Sequence, residues 1–324
     1  MYLLFDEIQR VQNFEKVVNS LFLKEHIDMY LTGSNAFILS GELATYLSGR
    51  YVEISILPFS FAEYVEIVTE TDKEKLFADY LEFGGFPYIA SLSQQKDKSK
   101  IAMYFEGIYH TILIKDIEER QNRREKENRR KVTDIALLKN IAKFLASSVG
   151  NSISTKSITD YINSTGRKVS QNTISDYLDV LTEAFVFYPV DRFDIQGKLL
   201  LKISPKYYMA DLGLRRFLVA KQGYDLGFSL ENVIYFELLR RGYTVNIGKL
   251  GSQEVDFVCQ KNAMVTYFQV TASMLEEETF MREINPLKAI KDNYPKIILT
   301  FDKLNLGNYE GIEIINTIHW LLER

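Results

Sequence analysis

Cysteine is almost absent from this chain. Cys259 is the only one among 324 residues, so no internal disulfide can form, and a reducing, cytoplasmic compartment is the natural inference. Histidine is scarce as well. His26, His110 and His319 with that single thiol are too few ligands for a structural zinc site. No apolar run approaches the roughly 20 residues needed to span a bilayer. The opening string MYLLFDEIQR lacks a basic start and breaks its apolar stretch with carboxylates. Neither a membrane helix nor a signal peptide is therefore expected. Positive charge is not in excess: the formal net charge is −4 and the pI about 5.6. That balance argues against a chain-wide nucleic-acid footprint and leaves room only for a local basic patch. Internal repeats and low-complexity tracts are missing too.

What is present is the texture of a soluble globular protein, long enough for two or three domains. Residues 1–60 alternate short apolar runs with helical periodicity. Tyr2 to Phe5 and Met29 to Leu31 read as buried strands, with Phe14, Val17, Val18, Leu21 and Phe22 at helical spacing between them. Strand, helix, strand predicts a parallel pair with a crossover helix. Tyr51 to Leu57, closed by Pro58, reads as a third strand. Residues 61–130 read as helices broken at Gly84-Gly85-Phe86-Pro87, with Lys115 to Lys131 as a solvated, charge-paired helix.

Residues 131–199 carry three helical patterns and then a strand from Phe185 to Val190. The second helix is capped by Ser154 or Thr155, and the third begins near Ser170 after a Ser-Thr-Gly turn. This is the order of a winged helix-turn-helix. Gln171 and Asn172 are residue types that read adenine edges, and Arg167 and Lys168 are suited to phosphate. The third helix, however, starts without Lys or Arg and holds Asp176 and Asp179. DNA binding and a packing or oligomerising role both stay open for this module. Residues 200–324 alternate helix and strand: a helix from Glu231 to Arg240, then strands at Tyr243–Ile247, Glu254–Cys259, Thr266–Thr271, Ile297–Phe301 and Ile312–Ile315.

Candidate chemistry begins at Leu3-Leu4-Phe5-Asp6-Glu7. An apolar strand ending in two acids places both at its carboxyl edge, where open parallel sheets bind ligands. The first acid is suited to Mg2+ on a polyphosphate, the second to orienting an attacking water. A plain strand followed by a helix N-terminus gives the same string. About 25 residues on, a second strand ends in Leu31-Thr32-Gly33-Ser34-Asn35, a polar cluster suited to a phosphate sensor.

DEIQRVQNF followed by LTGSNAFILSGELATYLSGRYVEISILPFSFAEY resembles a prokaryotic AAA-type P-loop ATPase family with a C-terminal restriction-endonuclease-like half, the domain-of-unknown-function 4143 family. The resemblance is strongest over residues 1–70. It implies an α/β chain made of a partial P-loop ATPase sheet (1–60), a helical lid (61–130), a winged helix-turn-helix (131–199) and a restriction-endonuclease-like domain (200–324). It implies ATP and Mg2+ as cofactors, Asp6 as the magnesium acid, Glu7 as the catalytic base and Ser34 or Asn35 as the sensor. Arg50 matches the family's Gly-Arg position, either as a charge-stabilising arginine on a phosphate or as a salt-bridging loop residue. A G-x-x-x-x-G-K-[S/T] loop should precede Asp6, and none of the 17 glycines forms it. The chain by itself is thus expected to bind nucleotide weakly and not to hydrolyse ATP at an enzymatic rate.

The strings LENVIYFELLRRGYTV and EVDFV resemble the family's nuclease-like half. By that resemblance Glu231, Asp256 and Gln269 should converge. Gln269 stands where a second acid belongs and Thr271 where a lysine belongs, so the fold is expected to survive and cleavage to be lost. Lys249 and Lys261 are placed too far along to replace that lysine. Nucleotide is the expected ligand, with DNA, a protein partner or a second copy of the chain open as partners. An inert interaction scaffold is the remaining alternative.

Overall fold

The computed structural model describes residues 1–24, 26–33, 49–94, 97–111, 134–219 and 226–323. Tyr2–Phe5 (β1) and Asp28–Leu31 (β2) pair in parallel, Tyr2 opposite Asp28 and Phe5 opposite Leu31. Between them runs the helix Phe14–Phe22 (α1). Its residues Phe14 and Val18, one turn apart, bury against Ile8 with Phe5, Met29 and Leu31 around them. Residues 51–57 form no strand among the described residues, with Val52, Ile54 and Ile56 exposed. The alternating β-branched residues express strand propensity, but a strand also needs a hydrogen-bonding neighbour.

Four helices follow. Phe61–Ile67 (α2) opens on a capping box between Ser60 and Glu63. Lys73–Phe83 (α3) is capped by Asp72, Pro87–Gln94 (α4) starts on a proline, and Lys98–His110 (α5) is capped by Asp97. The Gly84-Gly85 turn between α3 and α4 is fixed by close packing. Gly84 has φ +81°, and a Cβ there would lie 2.3 Å from the Asp211 carboxylate; one on Gly85 would lie 2.4 Å from the Phe59 carbonyl oxygen. The charged segment 115–131 lies outside the described residues.

The next three helices are Ile135–Ser147 (α6), Thr155–Ser164 (α7) and Gln171–Glu183 (α8), capped by Asp134, Ser154 and Ser170. They lead into the hairpin Phe187–Asp194 (β3) and Leu199–Met209 (β4). The hairpin is one end of an eight-stranded mixed sheet of order β4-β3-β5-β6-β7-β8-β10-β9. The remaining members are Thr244–Leu250 (β5), Gln253–Lys261 (β6), Met264–Val270 (β7), Lys296–Thr300 (β8), Gly307–Tyr309 (β9) and Ile312–Asn316 (β10). The sheet thus runs without a break across position 199, where the sequence suggests a boundary. Helices Leu212–Leu218 (α9) and Leu226–Arg240 (α10) follow β4, Glu277–Ala289 (α11) joins β7 to β8, and Thr317–Leu322 (α12) ends the described chain.

Both faces of the sheet are covered. Leu230, Ile234 and Leu238 of α10 pack with Phe257, Phe268 and Trp320 in the large core that continues into the helical units. On the other face Ile284 and Leu287 of α11 pack on Val255, Tyr267, Ile298 and Ile314. Two irregularities interrupt the ladder. Between Val190↔Lys206 and Arg192↔Leu201, four residues of β4 oppose the single Asp191, with Ser204 at φ +50°. Between Asn246↔Val258 and Gly248↔Val255, Asp256 and Phe257 together oppose Ile247. Such bulges turn side chains that a regular ladder would alternate. Gly248 permits the second one, since a Cβ there would lie 2.8 Å from that of Val255.

Candidate functional sites at a strand end and in a buried lysine–carboxylate cluster

At the carboxyl end of β1 the backbone turns sharply. Glu7 adopts φ +49°, and Ile8 N–H donates to the Thr32 carbonyl across the end of β2 at 3.2 Å. Thr32 ties the two strand ends together. Its N–H donates to the Phe5 carbonyl at 2.8 Å, its hydroxyl donates to Asp6 Oδ1 at 2.5 Å, and the same hydroxyl accepts from Glu7 N–H at 3.1 Å. Asp6 and Glu7 therefore lie at the carboxyl edge of a parallel pair, beside the polar residue that ends β2. Glu7 also approaches Arg10 at 3.9 Å. Arg50 holds its guanidinium 5.7 Å from the centre of the Phe22 ring. Ser34 and Asn35 lie outside the described residues. Thr32 belongs to the polar cluster that ends β2, and its signal in the sequence is a hydroxyl immediately after the last apolar strand residue.

The second cluster centres on Lys206 and Glu231, buried between α10 and the sheet, and extends to the partly exposed Glu254 and Arg192. Glu231 Oε2 accepts from Lys206 Nζ at 3.2 Å and from the Tyr208 hydroxyl at 3.1 Å. Lys206 also reaches Glu254 Oε1 at 2.7 Å, and Glu254 Oε2 accepts from Arg192 at 3.0 Å. On the neighbouring strands Asp256 N–H donates to Gln269 Oε1 at 3.2 Å, and Val270 N–H donates to Asp256 Oδ2 at 2.8 Å. Gln269 Nε2 donates to Glu283 Oε2 of α11 at 2.9 Å. Asp256 thus links the two sets: it interacts electrostatically with Glu231 on the α10 side, and its N–H bonds Gln269, whose amide turns to Glu283 of α11 on the other face. Thr271 faces elsewhere, its hydroxyl donating to the Ser273 carbonyl at 3.1 Å.

Burial alone would lower the Lys206 pKa, but Glu231, Asp256 and Glu254 outweigh it and hold the ammonium above the ordinary lysine value. Burial pushes Glu231 up, against the pull of Lys206 and Tyr208. Asp256 is pushed well above the carboxylate range, first by burial and then by the charge of Glu231. The cluster is therefore an ion pair centred on Lys206 beside an acid whose charged form is disfavoured by burial and by Glu231.

The cation here comes from β4, not from Lys249 or Lys261. Lys261 instead donates to the Arg241 carbonyl at 2.6 Å. Lys206, Glu254 and Glu283 are the members that the sequence reading passed over. A usable signal for the first exists: Pro-Lys-Tyr-Tyr-Met places one lysine in an apolar, aromatic run, and such a lysine is buried only when paired. In the helix-turn-helix region, Arg167 pairs with Asp134 at 2.5 Å, the residue that caps α6. Gln171, Asn172, Ser175 and Lys168 are exposed.

Residues 1–65 match the family model of an AAA domain, and residues 74–225 match a domain of unknown function, DUF8612. An uncharacterised Haemophilus influenzae protein is 40% identical over 327 aligned positions, covering 100% of this chain and 78% of that protein. The uncharacterised Methanocaldococcus jannaschii protein MJ1544 is 30% identical over 336 positions, covering 97% and 70%. Two solved structures overlap weakly. Can2 from Sulfobacillus thermosulfidooxidans, in complex with cyclic tetra-adenylate, has TM-score 0.24 at 10% identity, covering 99% of this chain and 88% of that one. Protein VC1899 from Vibrio cholerae has TM-score 0.25 at 9% identity, covering 98% and 73%. Among the described residues no helix is long and apolar enough to cross a membrane. The chain belongs to one family with these Haemophilus and Methanocaldococcus proteins and carries an AAA-type domain in its first 65 residues.

Proposed function

We propose that these residues are the C-terminal part of an AAA-type ATP-binding protein that acts as a nucleotide-dependent switch, with residues 1–33 forming the acidic edge of its nucleotide site. The observation that carries this reading is the parallel β1–β2 pair, whose carboxyl edge holds Asp6 against the Thr32 hydroxyl and next to Glu7, within the segment that matches an AAA domain. A carboxylate and a hydroxyl at a strand end are the hard oxygen donors that Mg2+ takes. In this reading Asp6 holds the magnesium of Mg·ATP and Glu7 orients the attacking water. Ser34 or Asn35 senses the terminal phosphate, and Arg50 stabilises charge on it. Bound magnesium supplies neutralisation of the phosphate oxygens. Nucleotide bound without a phosphate loop is held weakly, because that loop normally provides most of the β/γ-phosphate contacts. The test is Mg·ATP binding and hydrolysis by this chain, alone and extended ahead of Tyr2 by a segment carrying such a loop. Weak binding and no enzymatic turnover are expected alone, and turnover that needs Glu7 in the extended chain. Turnover by the unextended chain that disappears in Glu7→Gln would overturn the expectation of inactivity.

A second reading is favoured by a separate observation. The order α10-β5-β6-β7-α11-β8, with Asp256 N–H bonded to Gln269 and the Asp256 carboxyl linked electrostatically to Glu231, supports a restriction-endonuclease-like core. The helices α6–α8 and the β3–β4 hairpin precede it in the order of a winged helix. The chain then binds DNA, or a protein or a second copy of itself, through the winged module, without cutting DNA. Loss of cleavage follows from charge: Gln269 is neutral and already spans Asp256 and Glu283. Plasmid nicking with Mg2+ or Mn2+ tests this. No nicking is expected, and nicking lost in Asp256→Ala would show that the altered motif still works. Binding of duplex DNA that weakens steeply with salt separates a DNA-binding role from an inert scaffold.

A further inference from the structure

The acids of the buried cluster are already matched to donors of the chain. Lys206 serves two of them at once, Glu231 at 3.2 Å and Glu254 at 2.7 Å. Tyr208 adds a second bond to the same Glu231 oxygen, and Arg192 takes the other oxygen of Glu254. Asp256 is held by Val270 N–H, and the Gln269 amide bridges to Glu283. Lys206 itself is 4% exposed. It enters from β4, a strand outside the helix and strands that carry the acids, and it rejoins the ladder just after the bulge at Asp191. Among the described residues no three acid, histidine or cysteine side chains stand where they could share one ion. One ammonium thus bridges Glu231 and Glu254.

We propose that the Lys206 ammonium is the resident cation of this cluster, standing between Glu231 and Glu254 where a divalent ion would otherwise join carboxylates, so that the unit is stable without metal and β4 is clamped to α10 and β6. Three consequences follow from charge. Removing the ammonium alone leaves the buried Glu231 carboxylate without a counter-ion, while Glu254 keeps Arg192, and this is far worse than removing both partners of the Lys206–Glu231 pair. The acids then become a ligand set for an oxygen-seeking divalent ion. Removing Glu231 along with Lys206 takes that ligand set away again. Lys206 in this role deepens the nuclease-like reading, and the two fail separately: DNA nicking addresses that reading, and metal-dependent melting addresses this one.

The experiment is thermal unfolding of the full chain and of Lys206→Met, Glu231→Gln and the double variant, each in EDTA and in millimolar Mn2+. The native chain is expected to melt at the same temperature in both. Lys206→Met should melt several degrees lower in EDTA, or fail to fold, and regain much of the loss in Mn2+. The double variant should melt above Lys206→Met in EDTA and gain nothing from Mn2+. Any of three results overturns the proposal. One is a native chain stabilised by Mn2+ in a way that Glu231→Gln abolishes. Another is Lys206→Met melting like the native chain. The third is Lys206→Met that Mn2+ does not restore while the double variant folds.

Discussion

Asp211 offers a prediction whose sign and size can be worked from its surroundings. It is 3% exposed, at the N-cap of α9, where it accepts from Leu214 N–H at 2.9 Å and from Gly85 N–H at 2.7 Å. The second bond ties the turn after α3 to the start of α9 across 126 residues of sequence. Burial dominates its ionisation and lifts its pKa from 3.8 to about 6, with the backbone donors pulling the other way. A raised acid pKa means that the folded chain keeps a proton that the unfolded chain has released. The stabilisation is complete below about pH 4 and is lost as pH rises through about 6. A shift of about two units at ~1.4 kcal/mol each makes the loss ~3 kcal/mol over that window. Asp211→Asn removes the titration but keeps an acceptor for only one of the two N–H groups, since Leu214 N–H bonds Oδ1 and Gly85 N–H bonds Oδ2. Its new NH2 group, if unpaired, costs about 1–3 kcal/mol at every pH. Urea unfolding from pH 4 to 8 can be followed by Trp320, the only tryptophan, which is buried against Phe268. The native-minus-variant stability should fall by ~3 kcal/mol from pH 4 to above 6 and stay flat beyond. A difference that grows with pH would mean that the N–H donors hold Asp211 charged and that burial does not decide its ionisation.

Two further substitutions probe the packing that fixes the sites. Gly213→Ala would bring a Cβ to 2.1 Å from the Phe83 carbonyl oxygen and 2.5 Å from the Phe105 ring, and should lower stability by about 1–3 kcal/mol or more, read as a lower urea midpoint at unchanged slope. Phe257→Ala empties a fully buried position beside Tyr208 and Tyr235 and should cost about 3–5 kcal/mol. A loss under ~1 kcal/mol for Phe257→Ala would mean that the bulge at Asp256 relaxes to fill the space.

Local pattern made much of the chain legible. The spacing of Phe14 and Val18 and the apolar runs on either side gave the parallel β1–β2 unit, and the caps at Ser154 and Ser170 gave α7 and α8. The strands β5 to β7 read directly from their apolar alternation, to within one or two residues at most ends. The misses have physical causes. β4 was not read because Lys202, Pro205 and Lys206 interrupt its apolar run. Proline is tolerated there because β4 is the sheet's edge and Pro205 falls in the bulge. α11 was hidden by its acidic start and by Pro286, although Phe280, Ile284 and Leu287 keep helical spacing. Residues 51–57 have the composition of a strand without a partner among the described residues, and pairing is not a local property. The lysine of the buried cluster escaped for the same reason. Glu231, Asp256 and Gln269 lie on one run of elements, but the cation that matches them comes from a strand before that run.

The central claim is that Asp6 and Glu7 are the working acids of a nucleotide site, and ATP hydrolysis by the chain extended with a phosphate loop tests it most directly. Magnesium-dependent turnover should appear with the loop present and drop ~10²-fold or more in Glu7→Gln. Asp6→Asn should lower turnover and raise the Mg2+ concentration that it needs. Turnover that persists unchanged in both variants would contradict the assignment of this strand end as the site.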